Sequence, residues 1–221
     1  MIAKHTIDFL KKLNKNNNRD WFKAKKPEFQ KSNDNVIAFT GDLIAKIAKF
    51  DPEVAGLDPK TCVFRIYRDV RFSKDKSPYK TNLGAYISPG GRKSMAPGYY
   101  MHIQPGRSFI AAGKYMPDSA ELLKIRNAIA TRTKDFKKLV DGKKFKDRFG
   151  ELYGDRLRTA PKGFSPDHEA IEYLKLKGFM AYLEFPDDES LISAEFSKVL
   201  AATARAAYPL VAFLRTALRN Q

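Results

Sequence analysis

The stretch RIYRDVRFSKDKSPYKT, residues 65 to 81, gathers six basic side chains and two acidic ones. Its opening residues read as a β-strand, and strand parity then gives the charges a geometry. Cys62, Phe64, Ile66, Arg68, Val70 and Phe72 fall on one face, and Val63, Arg65, Tyr67, Asp69 and Arg71 on the other. The first face is apolar except at Arg68. A guanidinium buried there without a partner is costly, so Arg68 must meet a carboxylate, be turned out by a bulge, or hold a ligand. On the second face Asp69 can take one arginine in a bidentate pair, which leaves the other forks free for a carboxylate or phosphate. Lys76, Tyr79 and Lys80 add further donors. Donors outnumber acceptors, so the expected ligand is an anion.

A second set lies in GYYMHIQ, where Tyr100, His102 and Gln104 alternate with Tyr99, Met101 and Ile103. If their face is shared with Arg65 and Asp69, a His-Tyr-Arg-Asp constellation forms in one cleft. His102 and Asp69 are then the candidate proton-transfer groups, since histidine titrates near neutrality. The bland alternative for each is structural: a satisfied histidine on a strand, and a box whose aspartates lock its own arginines.

Other chemistries lack their sequence support. There is no G-x-S-x-G elbow, no P-loop and no G-x-G-x-x-G fingerprint, and no cofactor is expected. His5, His102 and His168 are far apart and only one cysteine is present, so no metal site is expected. The acids Asp187, Asp188 and Glu189 read as the first turn of a helix, where they favour the helix dipole. The basic run from Arg132 to Arg148, interleaved with Phe136, Leu139, Phe145 and Phe149, reads as an amphipathic helix pair with solvated lysines. Tracking of a phosphate backbone is its functional alternative.

The elements that must position these residues follow from periodicity. Helices are predicted through residue 50, with Thr6 and either Asn18 or Asp20 as caps and Pro27 in a first turn. Four strands are predicted between residues 61 and 115, in TCVFRIYRDV, NLGAYIS, GYYMHIQ and RSFIAAGKY, the last two joined by a tight QPGRS link. A helix capped by Asp118 follows, then two short basic helices broken at Gly142 and a helix start at Ser165-Pro166. GFMAYLEF, residues 178 to 185, reads as a late strand, and Pro209 is expected to break or kink the last helix. The class is α+β: an antiparallel sheet of four to six strands packed against flanking helices. One domain over residues 1 to 221 is expected, helical over 1 to 50, with a sheet over 61 to 115 and a helical part from 118 to 221 holding the late strand.

Composition bounds the setting. A formal charge of +16 favours anionic partners, either a phosphate-bearing small molecule or nucleic acid. The single cysteine excludes an internal disulfide, and the first residues carry no apolar run of signal-peptide length, so a cytoplasmic protein is expected. No run approaches the length of a membrane span. Oligomeric state is not legible.

The pattern Arg65-x-x-Arg68-Asp69-x-Arg71-Phe72 followed by Asp75-Lys76-x-x-Tyr79 resembles the hallmark box of a family of proteins of about this length, found mainly in bacteria and also in fungi, and catalogued as a conserved domain of unknown function. The likeness extends to Asn17-Asn18-x-x-Trp21-Phe22, Pro97-Gly98-Tyr99-Tyr100 with His102, Tyr115-Met116-Pro117 and Pro161-Lys162-Gly163-Phe164. Ala111-Ala112-Gly113 departs slightly from a glycine-richer version of that hairpin. The resemblance implies a single-domain cytosolic protein and supplies no activity. Three functions stay open on the residues. One is an anion binder using Arg65, Arg68, Asp69, Arg71, Lys76, Tyr79, Lys80 and Tyr100. Another is an enzyme on a small phosphorylated or carboxylated substrate, with Asp69 or His102 moving protons. The third is a scaffold or partner-binding domain.

Overall fold

The computed structural model describes residues 1 to 219. Its first helix, α1 (Lys4–Lys15), buries Ile7, Phe9, Leu10 and Leu13. Thr6, expected as its cap, instead lies inside it, and the Thr6 hydroxyl donates to Asn35 Oδ1 at 2.9 Å. The Ala3 amide donates to the same oxygen at 2.8 Å, so a side chain of the next long helix ties down the start of α1, whose N-cap is Ala3. Asn18 caps the short α2 (Arg19–Ala24), and Pro27 occupies the first turn of α3 (Lys26–Ile47). The apolar faces of α1 and α3 pack together around Leu10, Leu13, Val36 and Leu43.

Four strands form one antiparallel sheet in the order β1-β2-β3-β4: β1 (Leu83–Ile87), β2 (Gly98–Ile103), β3 (Ser108–Lys114) and the late strand β4 (Phe179–Phe185). The α+β class and the late strand stand as predicted. The strand predicted from Thr61 does not. That segment begins as a helical turn, α4 (Pro59–Cys62), capped by Asp58, and continues as extended chain with isolated bridges.

Between β3 and β4 run α5 (Ser119–Thr131), α6 (Thr133–Val140), α7 (Lys143–Phe149) and α8 (Ile171–Leu174). Asp118 caps α5 in a reciprocal capping box with Glu121. The basic pair breaks at Gly142 as read, with Phe136 and Phe145 buried. No helix starts at Ser165: its hydroxyl accepts from the Asp167 amide at 3.2 Å, a local turn, and α8 begins only at Ile171. Short α9 (Asp188–Ile192) precedes α10 (Phe196–Arg219), which passes through Pro209 unbroken. Pro209 and Arg205, whose carbonyl loses its helical donor, are both exposed, so water can serve that carbonyl while the opposite face stays buried.

The described chain divides into two compact units. The first holds Met1–Met95, Tyr100–Ile110 and Glu184–Ala202, with a core of α1 and α3 residues and a ring cluster of Phe9, Trp21, Phe22 and Phe29. The second holds Ala96–Tyr99, Ala111–Leu183 and the chain from Thr203 onward. Its core includes Ile125, Ile129, Phe136, Phe179, Leu210 and Leu214. In this unit Gly113, at φ +134°, brings its backbone so near β4 that a methyl there would lie 2.0 Å from the Phe179 carbonyl oxygen. Both candidate residue sets belong to the first unit.

Candidate functional site

After α4 the chain runs along the free edge of β1 for one pair, Val63 opposite Ala85, with the Phe64 amide donating to the Gly84 carbonyl at 2.9 Å. It then meets residues 78 to 80: Tyr67 opposite Tyr79, the Arg68 amide to the Pro78 carbonyl at 3.0 Å, and the Lys80 amide to the Ile66 carbonyl at 2.7 Å. Pro78 has no amide to return, which is one physical reason the pairing stays isolated rather than growing into a ladder. The expected alternation nevertheless survives from 64 to 71. Ile66 is buried and Phe64, Arg68 and Val70 half-buried, while Arg65, Tyr67, Asp69 and Arg71 are exposed. It fails at Val63, which is buried, and at Phe72, which is 97% exposed.

Arg68 is paired. Its Nη1 meets Asp75 and donates to Ser77 Oγ at 2.7 Å, and Nη2 reaches Ser73 Oγ at 3.4 Å. Arg68 first, and the Ser77 amide next, hold the Asp75 carboxyl far below the usual carboxylate range. The side chain on the apolar parity thus crosses the mouth of the 69–77 loop and ties its far side. Lys76 Nζ closes the same loop by donating to the Val70 carbonyl at 3.1 Å.

Asp69 takes one arginine in the expected bidentate manner. Arg71 Nε and Nη2 donate to its two oxygens at 3.0 and 2.6 Å. This pair stands at the outer part of the loop, exposed, with its Asp69 carboxyl lowered by Arg71. Asp69 is therefore held by Arg71 rather than brought to His102.

An open cleft of about 340 Å³ lies beside the box, lined by Asn14, Asn17, Arg68, Asp75, Ser77, Tyr79, Lys80, Thr81 and Asn82. Its floor is set by Asn17, whose side chain imitates a strand. Asn17 Nδ2 donates to the Tyr79 carbonyl at 2.9 Å and Oδ1 accepts from the Tyr79 amide at 3.1 Å. Phe22 stacks on the Tyr79 ring at 3.9 Å. These contacts explain the spacing Asn17-Asn18-x-x-Trp21-Phe22: one asparagine clips the box, the next caps α2, and α2 delivers a ring to Tyr79.

Arg65 and Lys80 are neighbouring cations without an ion-pair partner. Lys80 Nζ donates to the Arg65 carbonyl at 3.2 Å and sits 5.5 Å from the Phe64 ring centroid. No carboxylate pairs with either among the described residues, and burial, then the Arg65 charge, push the Lys80 ammonium below its ordinary value.

His102 occupies a separate polar cluster. Its Nδ1 faces two donors, Tyr100 Oη at 3.0 Å and Asn82 Nδ2 at 3.2 Å, and Nε2 lies 2.9 Å from Gln104 Oε1. That partner set assigns the proton to Nε2, which donates to Gln104, while Nδ1 accepts. Phe109 stacks on the ring at 4.6 Å. Burial lowers the His102 pKa against the opposing pull of Gln104, and burial pushes the Tyr100 phenol up to about 12. Gln104 Nε2 donates to Thr81 Oγ1 at 3.3 Å, so this cluster meets the cleft through Thr81 and Asn82. Gly84 makes room for it, since a methyl there would stand 2.7 Å from Tyr100 Oη.

Sequence reasoning singled out neither Asn14, Asn82 nor the clipping role of Asn17. The NKNNN run read as a turn, and only a long-range contact shows what its amides bind. The acids at 187 and 188 are likewise engaged: Asp187 caps α9, and Asp188 pairs with Lys11 at 2.9 Å and accepts from the Gly106 amide. Among the described residues no group of three or more acids, histidines or cysteines is placed to hold a metal ion, and no helix is long and apolar enough to cross a membrane.

No curated protein and no solved structure matches the chain. A family model does match, over residues 5 to 213, and by that near-complete span the chain belongs to the family described as conserved hypothetical protein (DUF2461).

Proposed function

We propose that the first unit binds a phosphate-bearing anion in the cleft beside the box, with Lys80 supplying charge from the cleft wall, Arg65 adding to the field beside it, and Thr81 and Arg68 supplying donors. One observation carries this reading: the Lys80 ammonium is partly buried against the Arg65 carbonyl and within the field of the Arg65 charge, and neither cation has a carboxylate within ion-pairing distance among the described residues. Holding like charges together raises the energy of the empty site, and an anion relieves it. Asp75 does not cancel the field, because Arg68 already matches its charge. Thr81 Oγ1 accepts from Gln104, which leaves its hydroxyl proton for a ligand.

Proton transfer is the weaker reading. Both ring nitrogens of His102 are occupied, and Asp69, the other candidate, is held at the outer loop by Arg71. The test is calorimetric titration with inorganic pyrophosphate at low ionic strength, comparing the wild type with Lys80→Ala and Arg65→Ala. Binding that weakens in both variants and fades with added salt is expected. A wild-type protein that takes up no pyrophosphate at low salt would end the proposal.

A further inference from the structure

The 69–77 loop offers a second kind of contact beside the cleft. Its tip is Phe72, 97% exposed, with the Arg71 guanidinium 5.8 Å from the ring centroid. Tyr67, on the exposed face of the same hairpin, is 51% exposed while its inner edge leans on Phe22 and Tyr79. Single exposed aromatics are ordinary on protein surfaces. This one is held out by its surroundings. Arg68 bonds to Asp75, Ser77 and Ser73, the Ser77 amide donates to Asp75 Oδ1 at 2.9 Å, and Lys76 donates to the Val70 carbonyl, so the loop presenting Phe72 is tied at both ends. A tied loop loses little conformational entropy when its tip meets a partner.

Charge tells what that partner is. Residues 65 to 80 carry six basic and two acidic side chains, and both acids are taken up by Arg68 and Arg71. Arg65, Lys74, Lys76 and Lys80 remain without a carboxylate partner among the described residues. A surface with four cations that have no carboxylate partner and two exposed rings matches a polyanion that also carries flat apolar faces.

We infer that this surface binds single-stranded nucleic acid, with Phe72 as a base-stacking platform and Arg65, Lys74, Lys76 and Lys80 along the phosphates. The inference rests on the anion-binding reading above and adds a substrate class to it. Stacking needs an unpaired base, so single strands bind in preference to a blunt duplex, and binding tolerates sequence because every base has a π-face.

The experiment uses fluorescence anisotropy with labelled oligothymidylate, competition by inorganic polyphosphate, and the variants Phe72→Ala, Phe72→Trp and Arg65→Ala. Phe72 packs against no core, so its variants keep the fold. Phe72→Ala is expected to weaken oligothymidylate about tenfold, within the range that loss of one base stack allows. Phe72→Trp retains affinity, polyphosphate binding is unchanged by either, and Arg65→Ala weakens both ligands. If polyphosphate binds but oligothymidylate is indifferent to Phe72, the stacking inference falls and the anion site stands. If neither polyanion binds at low ionic strength, both fall. Phe72-dependent binding to phosphatidylserine vesicles without oligothymidylate binding would also overturn the inference, because the aromatic tip would then serve a lipid surface.

Discussion

Replacing Asn17 by alanine tests the physical account of the cleft most directly. One amide side chain pairs with both the N–H and the C=O of Tyr79, a residue only 6% exposed. Each bond contributes about 1 kcal/mol net, and a partner left dry costs about 1 to 3 kcal/mol, so loss of both near a half-exposed cleft should cost about 2 kcal/mol. In a chain of this size that lowers Tm by about 4 to 8 °C. Asn17→Asp should fall between, because a carboxylate still accepts from the Tyr79 amide but offers no donor to its carbonyl. Thermal and urea unfolding give the totals, and hydrogen exchange at the Tyr79 amide localises them: its protection should drop in Asn17→Ala and persist partly in Asn17→Asp. Because Lys80 follows Tyr79, pyrophosphate affinity should fall alongside. A Tm within a degree of wild type, with the Tyr79 amide still protected, would refute the clip.

Three further outcomes follow from the same geometry. Gly84→Ala places a methyl against Tyr100 Oη and 3.1 Å from the Met101 carbonyl oxygen, so it should cost about 1 to 3 kcal/mol by overpacking and free His102 Nδ1 of its phenol, read by unfolding and by the histidine ring shifts. In Arg68→Ala the Asp75 carboxyl returns toward the ordinary aspartate range. Its depressed folded value makes the wild-type pairing fully present above that range and lost only as pH falls through the folded value, so carboxyl NMR should show the variant's Asp75 protonating at higher pH. His102 has a folded pKa below its ordinary 6.5, so the unfolded chain binds its proton first as pH drops. Stability should therefore be whole above that value and decline below it until the folded value is reached, and replacing His102 with glutamine should flatten this slope in urea melts at stepped pH.

Periodicity and punctuation located much of the fold. The Asp118 cap, the Gly142 break and the late strand were legible because each depends on residues within one turn or on strict alternation. Residues whose partners lie far along the chain were misread. Thr6 looked like a cap until Asn35 from α3 took its hydroxyl, and Pro209, expected to kink or break the last helix, does not break it because the buried face of α10 outweighs one lost bond. In the box, parity correctly isolated Arg68 as the charge on the apolar side, and the Asp69 bidentate pair was readable because its partner is two residues away. The pairing of Arg68 with Asp75 was among the outcomes parity allowed, but only the closed loop selects it.

By itself, then, the sequence determined the α+β class, the basic balance, and the concentration of cationic forks and aromatics between residues 65 and 81. Those are consequences of local spacing and composition. The tertiary structure decided which of the charges are spent. It gave Asp75 to Arg68 and Asp69 to Arg71, surrounded His102 with partners from Asn82, Tyr100 and Gln104, and left Arg65 and Lys80 near each other with no carboxylate within ion-pairing distance. Whether a charge is neutralised depends on a few ångströms of separation, and chain closure alone sets those distances.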